Sequence, residues 1–188
     1  MNLLIINGSS RAGGNSEQLA EQLVAGLPAV NRLVLRDMKI TPIVDERHSA
    51  HGFKTVADDC EACIKQLMTH DVLVFVTPLY WYSMSGLMKN FIDRWSQFLR
   101  STDYDFKGAM QGKKVYLVVT GGPKVRRQGG LLVMQMQHIC DFMGMEFIDY
   151  ILGQGGKPGD IEADKHAVYQ ATELNQELLA GSTADGSK

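Results

Sequence analysis

Three loops hold the residues whose types and spacing could do chemistry. Directly after an apolar run the chain reads Asn7-Gly8-Ser9-Ser10-Arg11-Ala12-Gly13-Gly14-Asn15-Ser16. Glycines let a backbone approach a ligand closely, hydroxyls and amides donate hydrogen bonds, Arg11 supplies charge, and a helix start adds a positive dipole end. The composition is that of an anion cradle. It lacks the Gly-Lys-Ser/Thr ending of a P-loop and the Gly-x-Gly-x-x-Gly of a dinucleotide site, so a single terminal phosphate fits it better than a nucleotide triphosphate. No thiol stands in residues 7–16, which excludes cysteine-based phosphate chemistry there. The plain structural alternative is a Gly/Ser turn capped by Asn15.

The second loop, Pro78-Leu79-Tyr80-Trp81-Tyr82-Ser83-Met84-Ser85-Gly86, leaves the apolar run 72–77 where a strand should hand over to a helix. Loops run over the surface, and an exposed apolar cluster marks a binding site, here for a flat ligand; a lid or a subunit contact is the competing reading. The third loop is Thr120-Gly121-Gly122-Pro123-Lys124-Val125-Arg126-Arg127-Gln128-Gly129-Gly130. Backbone amides at Gly121 and Gly122 could stabilise negative charge at the edge of a flat ring. Lys124, Arg126 and Arg127 could meet a nicotinamide cofactor's phosphates or simply face solvent.

These loops need elements to position them. Five short β-branched runs, at 3–7, 33–35, 72–77, 115–120 and 147–152, alternate with helix-like stretches. Leu19, Leu23 and Leu27 stripe a helix over 16–27, and a second helix runs from Thr55 to about Thr69 with Asp58 at the capping-box position. The third spans 86–99, with an unusually wide stripe around Leu87, Phe91, Trp95 and Phe98. The fourth, 130–143, is apolar around most of its circumference, and the fifth runs over 164–180. Strict alternation with near-continuous apolar strands implies an α/β doubly wound three-layer sandwich around a five-stranded parallel sheet. Its commonest order is the flavodoxin-like 2-1-3-4-5, whose ligand crevice lies at the carboxyl ends of strands one and three. All three loops would converge there.

One domain over residues 1–180 and a frayed tail over 181–188 suit a chain of 188 residues. A net charge of −2 gives no electrostatic case for nucleic acid or for an anionic membrane. Residues 1–6 are too short and too uncharged for a secretion signal, no apolar run approaches membrane-spanning length, and a cytoplasmic location is expected. Three cysteines, Cys60, Cys63 and Cys140, argue against a disulfide framework and are expected to be free thiols. The wide apolar faces over 87–99 and 131–143 exceed what one sheet face should consume, which predicts a homodimer or homotetramer.

The phosphate cradle, the Thr77-Pro78-Leu79-Tyr80-Trp81 loop with Lys89-Asn90-Phe91-Ile92-Asp93-Arg94 beyond it, and the Thr-Gly-Gly loop together resemble the NADPH-dependent FMN reductase and multimeric flavodoxin families, over residues 1 to about 155. The resemblance implies FMN as bound cofactor, NADPH or NADH as donor, and a quinone, flavin or similar small-molecule electron acceptor. Ser9, Arg11, Asn15 and Ser16, with Gly14, would hold the FMN phosphate. Pro78, Leu79, Tyr80 and Trp81 would line the isoalloxazine, and Thr120, Gly121 and Gly122 would close its pyrimidine side. No side chain is required as acid or base. Asp93 and Arg94 match the family's helix motif and read as structural. Iron-sulfur flavoproteins are similar too, but their cysteine cluster is missing: residues 42–56 hold no cysteine, and Cys60 and Cys63 read as core thiols one helical turn apart. His48 and His51 lack a further ligand nearby in sequence. Two rival functions are a flavodoxin-type electron carrier without direct NAD(P)H oxidation, and a protein-interaction module using the aromatic loop and Met-rich helix.

Overall fold

The computed structural model describes residues 1–185. Its sheet has five parallel strands, β1 (Leu3–Asn7), β2 (Val30–Val34), β3 (Val72–Pro78), β4 (Lys114–Gly121) and β5 (Glu146–Gln154), in the order β2-β1-β3-β4-β5. β1 and β3 are buried almost throughout because helices cover both of their faces, which is why they read as unbroken apolar runs. The edge strands β2 and β5 are only partly buried. Helices α2 (Cys60–Met68), α3 (Gly86–Phe98), α4 (Phe106–Met110) and α6 (Gly130–Met143) pack on one face. Helices α1 (Asn15–Leu23) and α7 (Lys165–Asp185) cover the other. A four-residue helix, α5 (Val125–Gln128), precedes α6.

The wide stripe of α3 is largely consumed within the chain. Trp95 sits in an aromatic cluster, edge-on to Phe91 and to Phe106 with ring centroids 6.1 and 5.8 Å away, and tilted against Phe75. On α6 the burial is one-sided: Leu132, Val133, Met136, Cys140 and Met143 face inward, while Leu131, Met134 and Phe142 are exposed.

Among the boundaries that differ from the sequence expectation, two bear on how the chain is tied together. The second helix starts at Cys60, not Thr55, because Asp58 is drawn into a buried ion pair with Arg94. Their closest approach is 2.6 Å and both side chains are at most 2% exposed. Asp58 also accepts from the N–H of Thr41 and of Cys60, and Arg94 donates to the Thr41 carbonyl and to Gln97. Burial alone would raise the Asp58 pKa, but those donors outweigh it and hold the carboxyl below its ordinary value. Arg94 is therefore structural, the strap that ties the connection between β2 and α2 to α3. Asp93 makes an exposed pair with Lys89. The second difference lies at the chain end: α7 continues through 185, so the tail expected from Gly181 overlaps it, and 186–188 lie outside the described residues.

Candidate functional site

Because β1, β3 and β4 are neighbours and parallel, the loops leaving their carboxyl ends stand side by side. Three adjacent strands span about 10 Å. That matches the length of a fused tricyclic ring.

The β1 loop is built on local hydrogen bonds. Asn7, buried at the strand end, accepts from the Ser9 N–H through Oδ1, and the Ser9 hydroxyl donates to the Arg11 carbonyl while accepting from its N–H. Gly14 is the N-cap of α1, and Asn15 is its first helical residue rather than the cap. The N–H groups of Asn15, Ser16 and Glu17 therefore have no acceptor inside the helix; the first such bond is Gln18 N–H to the Gly14 carbonyl. Gly13, at φ +61°, has open space where a Cβ would stand. Glu17 closes part of the cradle by accepting from the Gly13 N–H. The Arg11 side chain is exposed, and its guanidinium makes no hydrogen bond or ion pair among the described residues.

The β3 loop is joined to the cradle by Ser85. Its hydroxyl donates to the Gly8 carbonyl at 2.6 Å and accepts from the Met88 N–H as N-cap of α3, while its own N–H donates to the Thr77 hydroxyl. Gly8 is glycine for lack of room: a Cβ there would lie 2.9 Å from the Met88 Cβ. Beyond Leu79, whose N–H donates to the Thr120 carbonyl, Tyr80 and Ser83 exchange N–H to carbonyl bonds, both at 3.0 Å. Between them Trp81 and Tyr82 have φ +49° and +67°. Two positive φ values in a two-residue turn are the type I′ signature, which Asn and Gly occupy readily and aromatic residues do not. The turn projects outward, with Trp81 93%, Tyr80 49% and Tyr82 50% exposed. Ser83 donates to Gln135 of α6 and tethers the turn to that helix.

The β4 loop opens with Thr120, buried, then Gly121, whose missing Cβ leaves room for Val125 and Leu79 at 3.1 and 3.3 Å, then Gly122, which faces open space. Of its cations, Arg126 pairs with Asp164, and Lys124 and Arg127 have no partner among the described residues.

The structure thus brings Ser9, Arg11, Gly14, Asn15, Ser16, Pro78, Leu79, Tyr80, Trp81, Thr120, Gly121 and Gly122 to one edge of the sheet. Their roles are unequal. The Asn15 amide is engaged elsewhere, donating to the Lys157 carbonyl at 2.8 Å and accepting from the Ile161 N–H. Ser16 is buried, and Ser9 is occupied with the Arg11 backbone. Sequence reasoning missed Ser85 and Asp164, although each stands one residue before a helix, where Ser and Asp signal a cap.

Fold and site define a doubly wound α/β protein whose three candidate loops meet at the switch point of the sheet. A family model for the flavodoxin-like fold matches residues 1–178, and the chain belongs to that family. It is 43% identical over 175 residues, 93% of this chain and 96% of the relative, to the Bacillus subtilis protein YwqN, provisionally named an NAD(P)H-dependent FMN-containing oxidoreductase. An FMN-dependent NADH:quinone oxidoreductase of Leptothrix cholodnii is 28% identical, the match covering 98% of this chain and 99% of the relative. Among solved structures, a Trp repressor binding protein from Bacillus subtilis superposes with a TM-score of 0.78 at 37% identity, over 92% of this chain and 97% of that one. An FMN-dependent NADH-azoreductase from Bacillus anthracis shares the fold, with a TM-score of 0.68 at 14% identity over 95% and 99% of the two chains.

Proposed function

We propose that this protein is an FMN-dependent oxidoreductase that draws on NADPH or NADH and reduces a quinone, a free flavin or a similar flat acceptor. The observation that carries the reading is the meeting of an anion cradle, an outward aromatic turn and an open glycine turn at the carboxyl ends of three adjacent strands. The relatives named above, FMN oxidoreductases on the same fold, support it. The residues present fit the group: uncommitted first-turn amides and the free Arg11 suit a phosphate, and the aromatic wall suits a tricyclic ring.

When bound, FMN supplies the hydride and electron transfer. The chain's residues bind and orient. Arg11 and the Asn15 and Ser16 amides would hold the phosphate at the N-terminal end of α1, while the Ser9 and Asn15 side chains fix the shape of the cradle around Gly14. Pro78, Leu79, Tyr80 and Trp81 would wall the ring and keep water from one side of it. Thr120 acts through its backbone, since its side chain is buried and its carbonyl holds the Leu79 N–H. The Gly121–Gly122 backbone would meet the polar edge of the ring, where oriented amides would favour added negative charge.

A flavodoxin-type carrier is disfavoured because such docking rests on a strongly acidic face, whereas the net charge is only −2 and Arg11, Lys124 and Arg127 stand free around the site. A homodimer or homotetramer is part of the proposal. A groove of about 440 Å³ between α3 and α6, lined by Ile92, Leu99, Ile139 and Phe142, adjoins the exposed Leu131 and Met134. No helix among the described residues is long and apolar enough to cross a membrane, and a cytoplasmic location goes with the reading. Purified protein incubated with FMN and assayed for quinone-dependent NADPH oxidation tests it. A yellow protein that turns over supports the reading, and a protein that cannot retain FMN overturns it.

A further inference from the structure

We infer that Asp164, in a corner of the chain outside the three loops, and Arg126, in the third loop, are positioning residues that set the pose of the glycine turn and through it the affinity for FMN. The inference rests on the FMN reading above.

The corner is the segment between β5 and α7, residues 155–164. Asp164 is 8% exposed and acts on three elements at once. Both its carboxylate oxygens accept from Nη2 of Arg126, at 2.5 and 2.6 Å, on the short helix that ends the glycine turn. It also accepts from the Gln154 N–H at the end of β5 and from the Ala167 N–H in the first turn of α7. Beside it, the Gly155 N–H donates to the Gly121 carbonyl at 2.8 Å, so the corner holds the turn at its first residue and again at Arg126.

The same corner grips the phosphate cradle. Asn15 donates to the Lys157 carbonyl and accepts from the Ile161 N–H, 142 and 146 residues away in sequence. The approach is so close that a Cβ on Gly155 would lie 2.6 Å from the Asn15 amide nitrogen. Asp160 braces the segment internally by accepting from the Gly156 and Lys157 N–H groups. The loops for the two ends of the ligand are thereby referred to one rigid bracket. A capping role for Asp164 alone would need only the Ala167 bond.

Arg126 is 42% exposed, so Arg126→Gln leaves the core untouched, and Asp164→Asn retains a good cap residue. FMN affinity by fluorescence titration and amide hydrogen exchange of the FMN-free protein are measured for both variants, their combination and Arg126→Lys. Each of the first two is expected to weaken FMN about tenfold, the size of one charge-assisted contact. The combination should be no worse than Asp164→Asn alone, and Arg126→Lys should recover part of the loss. Exchange at residues 122–129 should accelerate in Arg126→Gln and Asp164→Asn. Gly155→Ala, which presses on Asn15 and on the bond to the Gly121 carbonyl together, should also weaken FMN. Unchanged FMN affinity in Arg126→Gln, additive losses, or unaltered exchange at 122–129 overturns the inference. If the parent protein takes up no FMN, the functional reading falls, and exchange still decides whether Arg126 and Asp164 hold the turn.

Discussion

Replacing Trp81 with Asn should stabilise the fold and weaken the site together. A residue in the left-handed region costs roughly 1–2 kcal/mol when it carries an ordinary side chain, and Asn tolerates that region far better. Against this gain stands the burial Trp81 gives up, which is slight because the side chain is 93% exposed. On a side chain of about 250 Å², at roughly 25 cal/mol per Å², the lost burial amounts to about 0.4 kcal/mol. The expected net is about 1 kcal/mol of added stability, or about 2–4 °C in melting temperature for a domain of this size. Urea unfolding of the FMN-free protein measures the first effect. Fluorescence titration measures the second, where loss of an aromatic face worth roughly 1 kcal/mol should raise the Kd for FMN about fivefold. A lower urea midpoint would show that Trp81 packs against its own chain and is not strained. An unchanged Kd would remove it from the wall of the site.

Gly8→Ala should cost about 1–3 kcal/mol in urea unfolding, because the new methyl meets the Met88 Cβ at 2.9 Å and the Ser85 hydroxyl that joins two of the loops. Arg94→Met should cost about 3 kcal/mol by leaving the Asp58 carboxylate buried and unpaired. The pH dependence follows from the same pair. The Asp58 pKa is lowered in the folded state, so its stabilisation is present above the unfolded value of about 3.9 and is lost as pH falls through the lower folded value. Acid unfolding of Arg94→Met should therefore begin at higher pH than in the parent, and coincident acid transitions would count against the pair. Burial pushes the thiols of Cys60 and Cys140 up to about 12 and that of Cys63 to about 11. A thiol reagent at pH 8 should then label none of the three in the folded protein and all three in urea; rapid labelling of the folded protein would refute their burial.

The sheet order and the convergence of the loops were legible because buried parallel strands leave a plain record, such as Val72 to Val76 without a polar residue. The edge strand β2 shows only its second half as an apolar run, because Asn31 and Arg32, facing solvent, disguise the first. Long-range pairing was the harder part. Asp58 looks like a helix cap, and only the fold reveals that Arg94, 36 residues on, claims it. Asn15 looks like a cap or a phosphate ligand for the same reason, since nothing local to residue 15 announces the Lys157 carbonyl. The aromatic loop was recognisable by composition, but the positive φ values of Trp81 and Tyr82 were not, because Trp-Tyr is the reverse of the residue choice such a turn invites. Glu17 is a further case: an acidic residue at a helix start reads as ordinary dipole complementation, whereas here it closes the Gly13 end of the cradle.

The central claim is that the three loops hold an FMN that exchanges electrons with a nicotinamide cofactor directly. The FMN-loaded protein, kept anaerobic, is treated with one equivalent of NADPH and then with NADH in a second sample, and the flavin's visible absorption is followed. Rapid bleaching with either donor, reversed on adding a quinone, is the predicted result. A flavin that stays oxidised with both donors yet bleaches with dithionite would contradict the claim and leave a carrier in place of an oxidoreductase.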